Sequence, residues 1–369
     1  MGGYKLQSNI IEFKAVFVHL GETLPEHLQL NLIRHRKLFP EIQVVLVVDH
    51  APEMDLDDQI EVFFYIPENT TEELFLEAGK HMDHSFRAGF WKHTFNRLLA
   101  LEIVHSQYPH HRILHIESDV VLMPNFPWDK LRKIEKLSWL NVNIENDIAS
   151  IVYLDSLDHT KHLSNFLRKT LASNPSATDM SALRSFAIEE PLLHEYLPSV
   201  YSQNKRSELG LLIVPGERRE SLGLGGYFDP LAFGIWNMGQ DPKNNYGLVR
   251  RYVDQQHHDI DVRGIHLLYE ENALKDQFGN LIYSLHVHSK CKELFGADWE
   301  KTLIQLLKEA NLKSKPFYFD RNSFFSSIKD RRLREHLWHF MTKNKRIYDL
   351  AHSKYFSSLT SNLKRLLRI

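Results

Sequence analysis

The chain is poor in the features that mark secreted, membrane-spanning or zinc-stapled proteins. It has 369 residues and a single cysteine, Cys291. No internal disulfide can form and a cysteine-based zinc site is excluded, a usage that fits a reducing cytoplasm. No run of about 18 apolar residues occurs, so no membrane-spanning helix is expected. The opening Met1-Gly2-Gly3-Tyr4-Lys5-Leu6-Gln7 lacks the apolar core of a signal peptide. Leu6 stands where N-myristoylation of Gly2 would need Ser or Thr, which excludes that anchor. There is no Gly-x-x-x-x-Gly-Lys-Ser/Thr loop and no Gly-x-Ser-x-Gly elbow, which argues against P-loop and α/β-hydrolase chemistry. Internal repeats and long low-complexity segments are also missing.

What remains is an ordinary globular composition, 43% hydrophobic and 25% charged, enough for a sizeable core. The charge is unevenly spread. From Lys313 to Ile369 there are 14 Lys+Arg against 4 Asp+Glu, a net of +10 that leaves −12 on residues 1–312. An acidic body argues against a nucleic-acid partner. The basic tail, with Phe356, Leu359, Leu363, Leu366 and Leu367 beside Lys364, Arg365 and Arg368, has the pattern of an interfacial amphipathic helix on an anionic membrane surface. A core-covering helix or a dimer contact is the alternative.

Periodicity gives the organisation. Strands are expected at 13–20, 43–48, 62–66 and 149–154, and helices at 25–39 and 90–104. Continuous apolar strands alternating with helices indicate a mainly parallel sheet covered on both faces. A mostly helical connection over 156–202 follows, with Thr178 or Asp179 as a helix cap, then a weak strand at 211–214 and closure of the sheet at 281–288. Charge and periodicity change near residue 297, dividing the chain into domains 1–296 and 297–369.

Three constellations carry chemistry. In Arg112-Ile113-Leu114-His115-Ile116-Glu117-Ser118-Asp119-Val120, an apolar run is interrupted by two carboxylates one residue apart. Strand alternation would put Glu117 and Asp119 on one side. Buried carboxylates need partners, and a divalent cation suits oxygen ligands; the alternative is an acidic turn capping a strand. In Leu285-His286-Val287-His288-Ser289-Lys290, two imidazoles share one strand face and a Lys follows, a set suited to a metal and a phosphate oxygen. Surface histidines on a strand edge would be the simpler explanation, since the chain has 22 histidines. Finally, Gly225-Gly226-Tyr227-Phe228-Asp229-Pro230-Leu231-Ala232-Phe233-Gly234 places Asp229 in an apolar run where it needs a partner, with glycines and aromatics that can admit and stack a sugar ring.

A helix bearing Arg97, then a strand ending in acid-x-acid, resembles glycosyltransferases of the GT-A fold. The motif reads Glu117-Ser118-Asp119, with Glu in place of the first Asp of the family's pattern. The resemblance covers residues 10–295. It implies an α/β, Rossmann-like, mixed but mainly parallel sheet flanked by helices; the C-terminal helical extension, read from charge and periodicity, lies outside the resemblance. It implies Mn²⁺ or Mg²⁺ held by Asp119 first, Glu117 second and a C-terminal histidine, His288 or His286, with a slight lean to His288. A nucleotide-sugar donor is implied, UDP-linked by default, with Arg97 and Thr94 near the nucleotide or diphosphate and Lys290 on a phosphate. His19 and Asp49 would border the base and ribose.

The Phe-Asp-x-x-Ala-x-Gly and Gly-x-Asp-Pro pattern, here Asp229 and then Gln240-Asp241, would line the donor-sugar and acceptor pocket. Trp236 departs from the polar side chain usual nearby. Asp229 would hydrogen-bond donor hydroxyls, favouring retention, or act as base on the acceptor, favouring inversion. The expected work is adding a sugar to a growing cell-surface glycan or glycolipid at the cytoplasmic face of the membrane. Rival readings are a metal-dependent nucleotide-sugar or phosphodiester hydrolase and a non-catalytic nucleotide- or glycan-binding module. A sugar nucleotidyltransferase is disfavoured, because Gly21-Glu22-Thr23-Leu24-Pro25 is not the Gly-rich, Arg-bearing loop it would need.

Overall fold

The first two strands are mostly apolar on both faces because both faces are covered. These are β1 (Phe13–His19) and β2 (Gln43–Val48). Phe13, Ala15 and Phe17 of β1 join Val44, Leu46 and Val48 of β2 in one cluster with Leu28 and Leu32 of helix α1 (Glu26–Leu38). Val16, Val18, Val45 and Val47 turn to the opposite face, against Phe95, Leu98 and Leu99 of helix α2 (Phe90–Gln107). The two-residue strand period thus feeds two cores. Pro25 leaves α1 without a side-chain cap. A missing cap costs about 1 kcal/mol. Burying Leu28 and Leu32 contributes ~1.5–3 kcal/mol each, so packing and not capping sets this helix.

The structure is a computed structural model that describes residues 12–21, 23–51, 57–67, 71, 73–74, 89–141, 146–199, 222–238, 266–277 and 279–313. Further strands are β3 (Ile60–Phe64), β4 (Arg112–Ile116), β5 (Val120–Leu122), β6 (Leu137–Asn141), β7 (Asp147–Leu154) and β8 (His194–Tyr196). One-turn helix α3 (Trp128–Leu131) precedes β6, and α4 (Leu157–Ser173) and α5 (Asp179–Glu189) follow β7. The seven-stranded sheet has the order β3-β2-β1-β4-β7-β6-β8. Its β1–β2, β2–β3, β1–β4 and β6–β8 pairings are parallel, and those of β7 with β4 and β6 are antiparallel. The fold is therefore mixed α/β with a mainly parallel sheet flanked by helices.

A second layer completes the body. Strands β9 (Gly226–Tyr227), β10 (Leu267–Glu270), β11 (Ala273–Asp276) and β12 (Leu281–Ile282) form a small sheet. Strand β13 (Ser284–His286) pairs antiparallel with β5. Helix α6 (Ala232–Met238) lies between β9 and β10 in sequence, and α7 (Trp299–Lys313) follows β13. Trp299, Leu303 and Leu307, four residues apart, pack with Leu285, Val287, Leu274 and Tyr227. The compact unit holding these elements runs to Ala310.

Some expectations shift. The third strand lies at Ile60–Phe64, two residues earlier than expected, because Ile60 and Val62 carry its buried face. Glu117 and Asp119 do not lie along one strand. β4 ends at Ile116, residues 117–119 turn, and β5 starts at Val120. The closing 281–288 segment is two short strands outside the main sheet. Thr178 does cap α5, through a reciprocal capping box with Ser181. The 211–214 strand and the basic tail beyond Lys313 lie outside the described residues.

Buried neutral histidines set the acid stability. His35 of α1 sits among Phe17, Phe39 and Trp128, and burial, then Arg34 and Arg36, push its pKa down to about 3. Burial, then Lys136 and Arg184, lower His194 likewise to about 3. An unfolded histidine titrates near pH 6.5, so below that pH the unfolded chain gains protons the folded one refuses. Their stability is present above pH 6.5 and is lost as pH falls toward 3. At pH 5 each such histidine is expected to cost about 2 kcal/mol. The Tm of wild type should therefore fall between pH 7 and pH 5, and His35→Leu should flatten that slope. An unchanged slope in His35→Leu would show that His35 titrates alike in the folded and unfolded chain.

Candidate metal and nucleotide site

The site is built where the strand order reverses. The chain leaves β1 for β2 on one side, while β4 lies on the other, so the carboxyl ends of β1 and β4 flank a crevice of the kind in which α/β sheets bind ligands. The 117–119 turn sits at the end of β4. Its first amide, that of Glu117, donates to the Ser150 carbonyl of β7 at 3.0 Å, and the Val120 amide returns to the Glu117 carbonyl at 3.1 Å. Asn31 of α1 donates to the carbonyls of Ser118 (3.2 Å) and Val120 (2.8 Å), and His27 Nε2 contacts Ser118 Oγ at 3.3 Å. The turn is thus held by a sheet on one side and a helix on the other.

The β5–β13 ribbon delivers an imidazole to the two acids. His286 pairs with Val120, and the Val287 amide donates to the Asp119 carbonyl at 2.7 Å. His286 Nε2 lies 3.4 Å from Asp119 Oδ1 and 3.6 Å from Glu117 Oε2. Among the described residues, Glu117, Asp119 and His286 form the group whose ligand atoms all lie within 4.8 Å of one another. Lys290 Nζ stands 3.7 Å from Asp119 Oδ2. The backbone of Lys290 has a φ of +54°, which turns the chain after β13 back toward the carboxylates.

The structure brings His286, and not His288, against both acids. β13 stops at His286, and the His288 amide folds back onto the His286 carbonyl at 2.9 Å; the two rings remain neighbours, with centroids 6.2 Å apart.

Electrostatics follow from burial of these groups. Burial alone would raise Asp119, but His286, then Lys290 and His27, hold it well below the carboxylate range. Burial would lower His286, but Asp119, then Glu117 and Asp229, push it up to about 9. As a metal ligand His286 would bind neutral, so its proton and a cation are alternatives at the same position. Two carboxylate oxygens and an imidazole nitrogen are a donor set suited to Mn²⁺-class ions, and the residues present fit such an ion.

Arg97 is placed differently from a free phosphate ligand. Its Nη1 pairs with Glu117 Oε1 at 2.6 Å and its Nη2 with Asp179 Oδ2 at 3.2 Å, all three side chains being largely buried. Burial opposes its charge, yet Glu117 and then Asp179 raise its pKa. Asp179 is nonetheless pushed up, by burial first and also by like-charged Glu117, against the pull of Arg97. Thr94, one turn before Arg97, donates its hydroxyl to the Trp91 carbonyl at 3.1 Å and lies close enough to Asp179 to lower that carboxyl's pKa slightly. Arg97 therefore turns one oxygen of Glu117 away and leaves Oε2 for His286.

Asp229 requires a correction. It is fully buried, and four backbone amides occupy its oxygens: Leu231, Phe233, Gly234 and His286. It cannot reach a donor hydroxyl or act as base on an acceptor, because no lone pair is open to the crevice. Asp49 accepts the Gly21 amide on both oxygens at 3.1 Å and contacts His50 Nδ1 at 2.7 Å. His19 Nε2 meets the Thr23 carbonyl at 2.9 Å. Both close the loop after β1 at the strand ends. Gln240 and Asp241 lie outside the described residues.

Sequence reasoning passed over His27, Asn31 and Asp179. His27, Asn31 and Arg34 are buried at helical spacing on α1, a polar stripe on a core-facing side that could have marked the first two. Asp179 was read only as a helix cap.

No family model matches this chain and no curated protein matches it. Among solved structures it is similar to the galactosyltransferase LgtC, crystallised with donor and acceptor sugar analogues, at 12% identity and a TM-score of 0.32, over 50% of this chain and 73% of that one. It is also similar to the glycosyltransferase GlyE of Streptococcus pneumoniae, at 12% identity and a TM-score of 0.37, over 82% of this chain and 64% of that one. A third is a glycosyltransferase involved in glycosylation of the major capsid of PBCV-1, at 9% identity and a TM-score of 0.30, over 50% of this chain and 81% of that one.

Removing one member of a buried charge network leaves the others uncompensated, which costs about 3–5 kcal/mol. Arg97→Met is expected to destabilise the protein by that order in urea unfolding, and Arg97→Met with Asp179→Asn to recover part of it. A loss under about 1 kcal/mol would mean that the pairs are solvated as on a surface.

Proposed function

We propose that this chain is a metal-dependent glycosyltransferase that takes its sugar from a nucleotide-diphosphate donor, UDP-linked by default. The observation that carries the reading is the convergence of Glu117, Asp119 and His286, with Lys290 beside them, at the strand ends next to the switch point. Departure of a nucleoside diphosphate develops negative charge on phosphate oxygens. A bound Mn²⁺ or Mg²⁺ would supply positive charge there. Glu117, Asp119 and His286 would hold the ion, and the resemblance to GT-A enzymes in residues 10–295 supports the same assignment.

The chain's own residues prepare the rest. Lys290 has a partly exposed ammonium and a flexible stem, so it can exchange Asp119 for a phosphate oxygen. Arg97 and Thr94 act through Asp179 and Glu117, fixing the acid that would face the metal. His19, the last residue of β1, and Asp49, just after β2, would border the nucleoside. Asp229 is not available as base, so the acceptor's proton must go to another group. The acceptor we propose is a growing cell-surface glycan or glycolipid. No helix among the described residues is long and apolar enough to cross a membrane. The +10 balance of residues 313–369 supports docking of the tail on the anionic cytoplasmic face of the membrane.

A ligand that binds only the folded state raises Tm by mass action. UDP with Mn²⁺ is expected to raise the Tm of wild type, and UDP alone to do much less. Asp119→Asn and His286→Ala should abolish the metal-dependent rise, whereas His288→Ala should keep it. If GDP or CMP shifts Tm in place of UDP, the donor class changes and the centre stands. If no nucleotide shifts wild type with any metal, the transferase reading fails. Release of free sugar from the donor without a glycan acceptor, at a rate no acceptor alters, would favour a hydrolase.

A further inference from the structure

His286 lies on a short strand with one edge paired to β5. The ladder to β5 is carried by its neighbours: Val287 donates to the Asp119 carbonyl, and Tyr283 accepts from the Met123 amide. The His286 amide therefore faces the other edge, and there Asp229 Oδ2 accepts it at 3.1 Å. The same oxygen takes the Gly234 amide at 2.8 Å, and Oδ1 takes those of Leu231 and Phe233 at 3.0 Å each. Three of the four donors are local and would suffice to start α6. The fourth comes from 57 residues downstream.

The carbonyl side is fixed as well. A Cβ on Gly234 would fall 1.6 Å from the His286 carbonyl oxygen and 2.6 Å from its carbon, so only glycine lets α6 lie against this peptide. Both peptide groups of His286 are thus held by one segment, Asp229–Gly234, on the side away from Asp119. A carboxylate accepting an N–H makes a stronger, better-directed bond than a neutral oxygen does. The imidazole has no freedom to retreat along or across the strand.

We infer that Asp229 and Gly234 form a backbone clamp that positions His286 for a divalent cation, which makes Asp229 a positioning residue of the centre. The inference rests on the metal-centre reading above. It gives the Phe-Asp-x-x-Ala-x-Gly segment a role different from lining a sugar pocket: its Asp and its Gly grip opposite ends of one ligand residue. Partners that orient a metal ligand typically set affinity by about 10–100-fold.

The test is Mn²⁺ binding to the full chain without nucleotide, followed by the electron paramagnetic resonance signal of free Mn²⁺. Wild type, Asp229→Asn, His286→Ala and Asp276→Asn are compared, each checked for folding by circular dichroism. Asp276 is the control, being a buried carboxylate that accepts from Tyr227 and Asn280 in the small sheet and not from His286. Asp229→Asn is expected to weaken Mn²⁺ binding about tenfold or more while staying folded, and Asp276→Asn to leave it unchanged. Should Asp229→Asn not fold, Asp229→Glu replaces it; the longer arm keeps charge and acceptors and should still weaken binding. Wild-type affinity in a folded Asp229 variant, or an equal loss in Asp276→Asn, overturns the clamp while leaving the centre in place. If wild type binds no Mn²⁺ and behaves as His286→Ala does, the centre itself fails and the clamp fails with it.

Discussion

Buried negative charge at the end of β4 is the constraint on which the rest depends. Glu117, Asp119, Asp179 and Asp229 are all largely buried, and the permanent cations beside them are Arg97 and Lys290. Uncompensated carboxylates in a protein interior are costly enough that a fold either pairs them or protonates them. Here the compensation is divided. Arg97 serves Glu117 and Asp179, four amides serve Asp229, and Asp119 is left to His286 and Lys290. That division explains why His286 is pushed up to about 9 while Asp119 falls. Two carboxylates and an imidazole whose charge must be balanced by something positive are also what a divalent cation requires.

Secondary structure explains how such a cluster is tolerated. A turn between two buried strands exposes backbone carbonyls that need donors, and Asn31 supplies two of them from α1. β5 is too short to stand alone, and β13 is as short. Each is stabilised by the other and by α6, whose closeness depends on Gly234. The site is therefore assembled from segments distant in sequence, held by the β5–β13 ladder, by Asn31 and by the Asp229 carboxylate.

Much of this was legible before any coordinates. Largely apolar runs at 13–20 and 43–48 point to a parallel sheet, because a strand buried on both faces shows no regular polar alternation. Acid-x-acid after β4 and the His-x-His-Ser-Lys ending gave the cluster, since such groups at the end of apolar runs need partners. Less visible was anything decided by tertiary packing. That β13 ends at His286 depends on the turn made by Val287–Lys290, so strand periodicity runs past the strand's end, although the rings of His286 and His288 still lie 6.2 Å apart. The pairing of Arg97 with Asp179 spans 82 residues and leaves no local spacing to detect. Asp229 was rightly marked as needing a partner, but its partners are backbone amides, which sequence composition does not encode.

The contrast between Arg97 and Lys290 shows how one site separates holding from responding. Arg97 presents a planar fork, and two carboxylates occupy it at 2.6 and 3.2 Å in a buried setting. Freeing it for a ligand would leave both acids unpaired, so it belongs to the frame. Lys290 is a point charge at 3.7 Å from Asp119, with about a third of its side chain exposed. Moving it to a phosphate oxygen would leave Asp119 still facing His286. An incoming polyanion would therefore recruit Lys290 and leave Arg97 in place. The mobile cation lies on the chain that leaves β13, and the fixed one lies on the helix that leads into β4. In the proposed centre the ligand-facing side would thus be the β13 side, where the proposed clamp on His286 would also act.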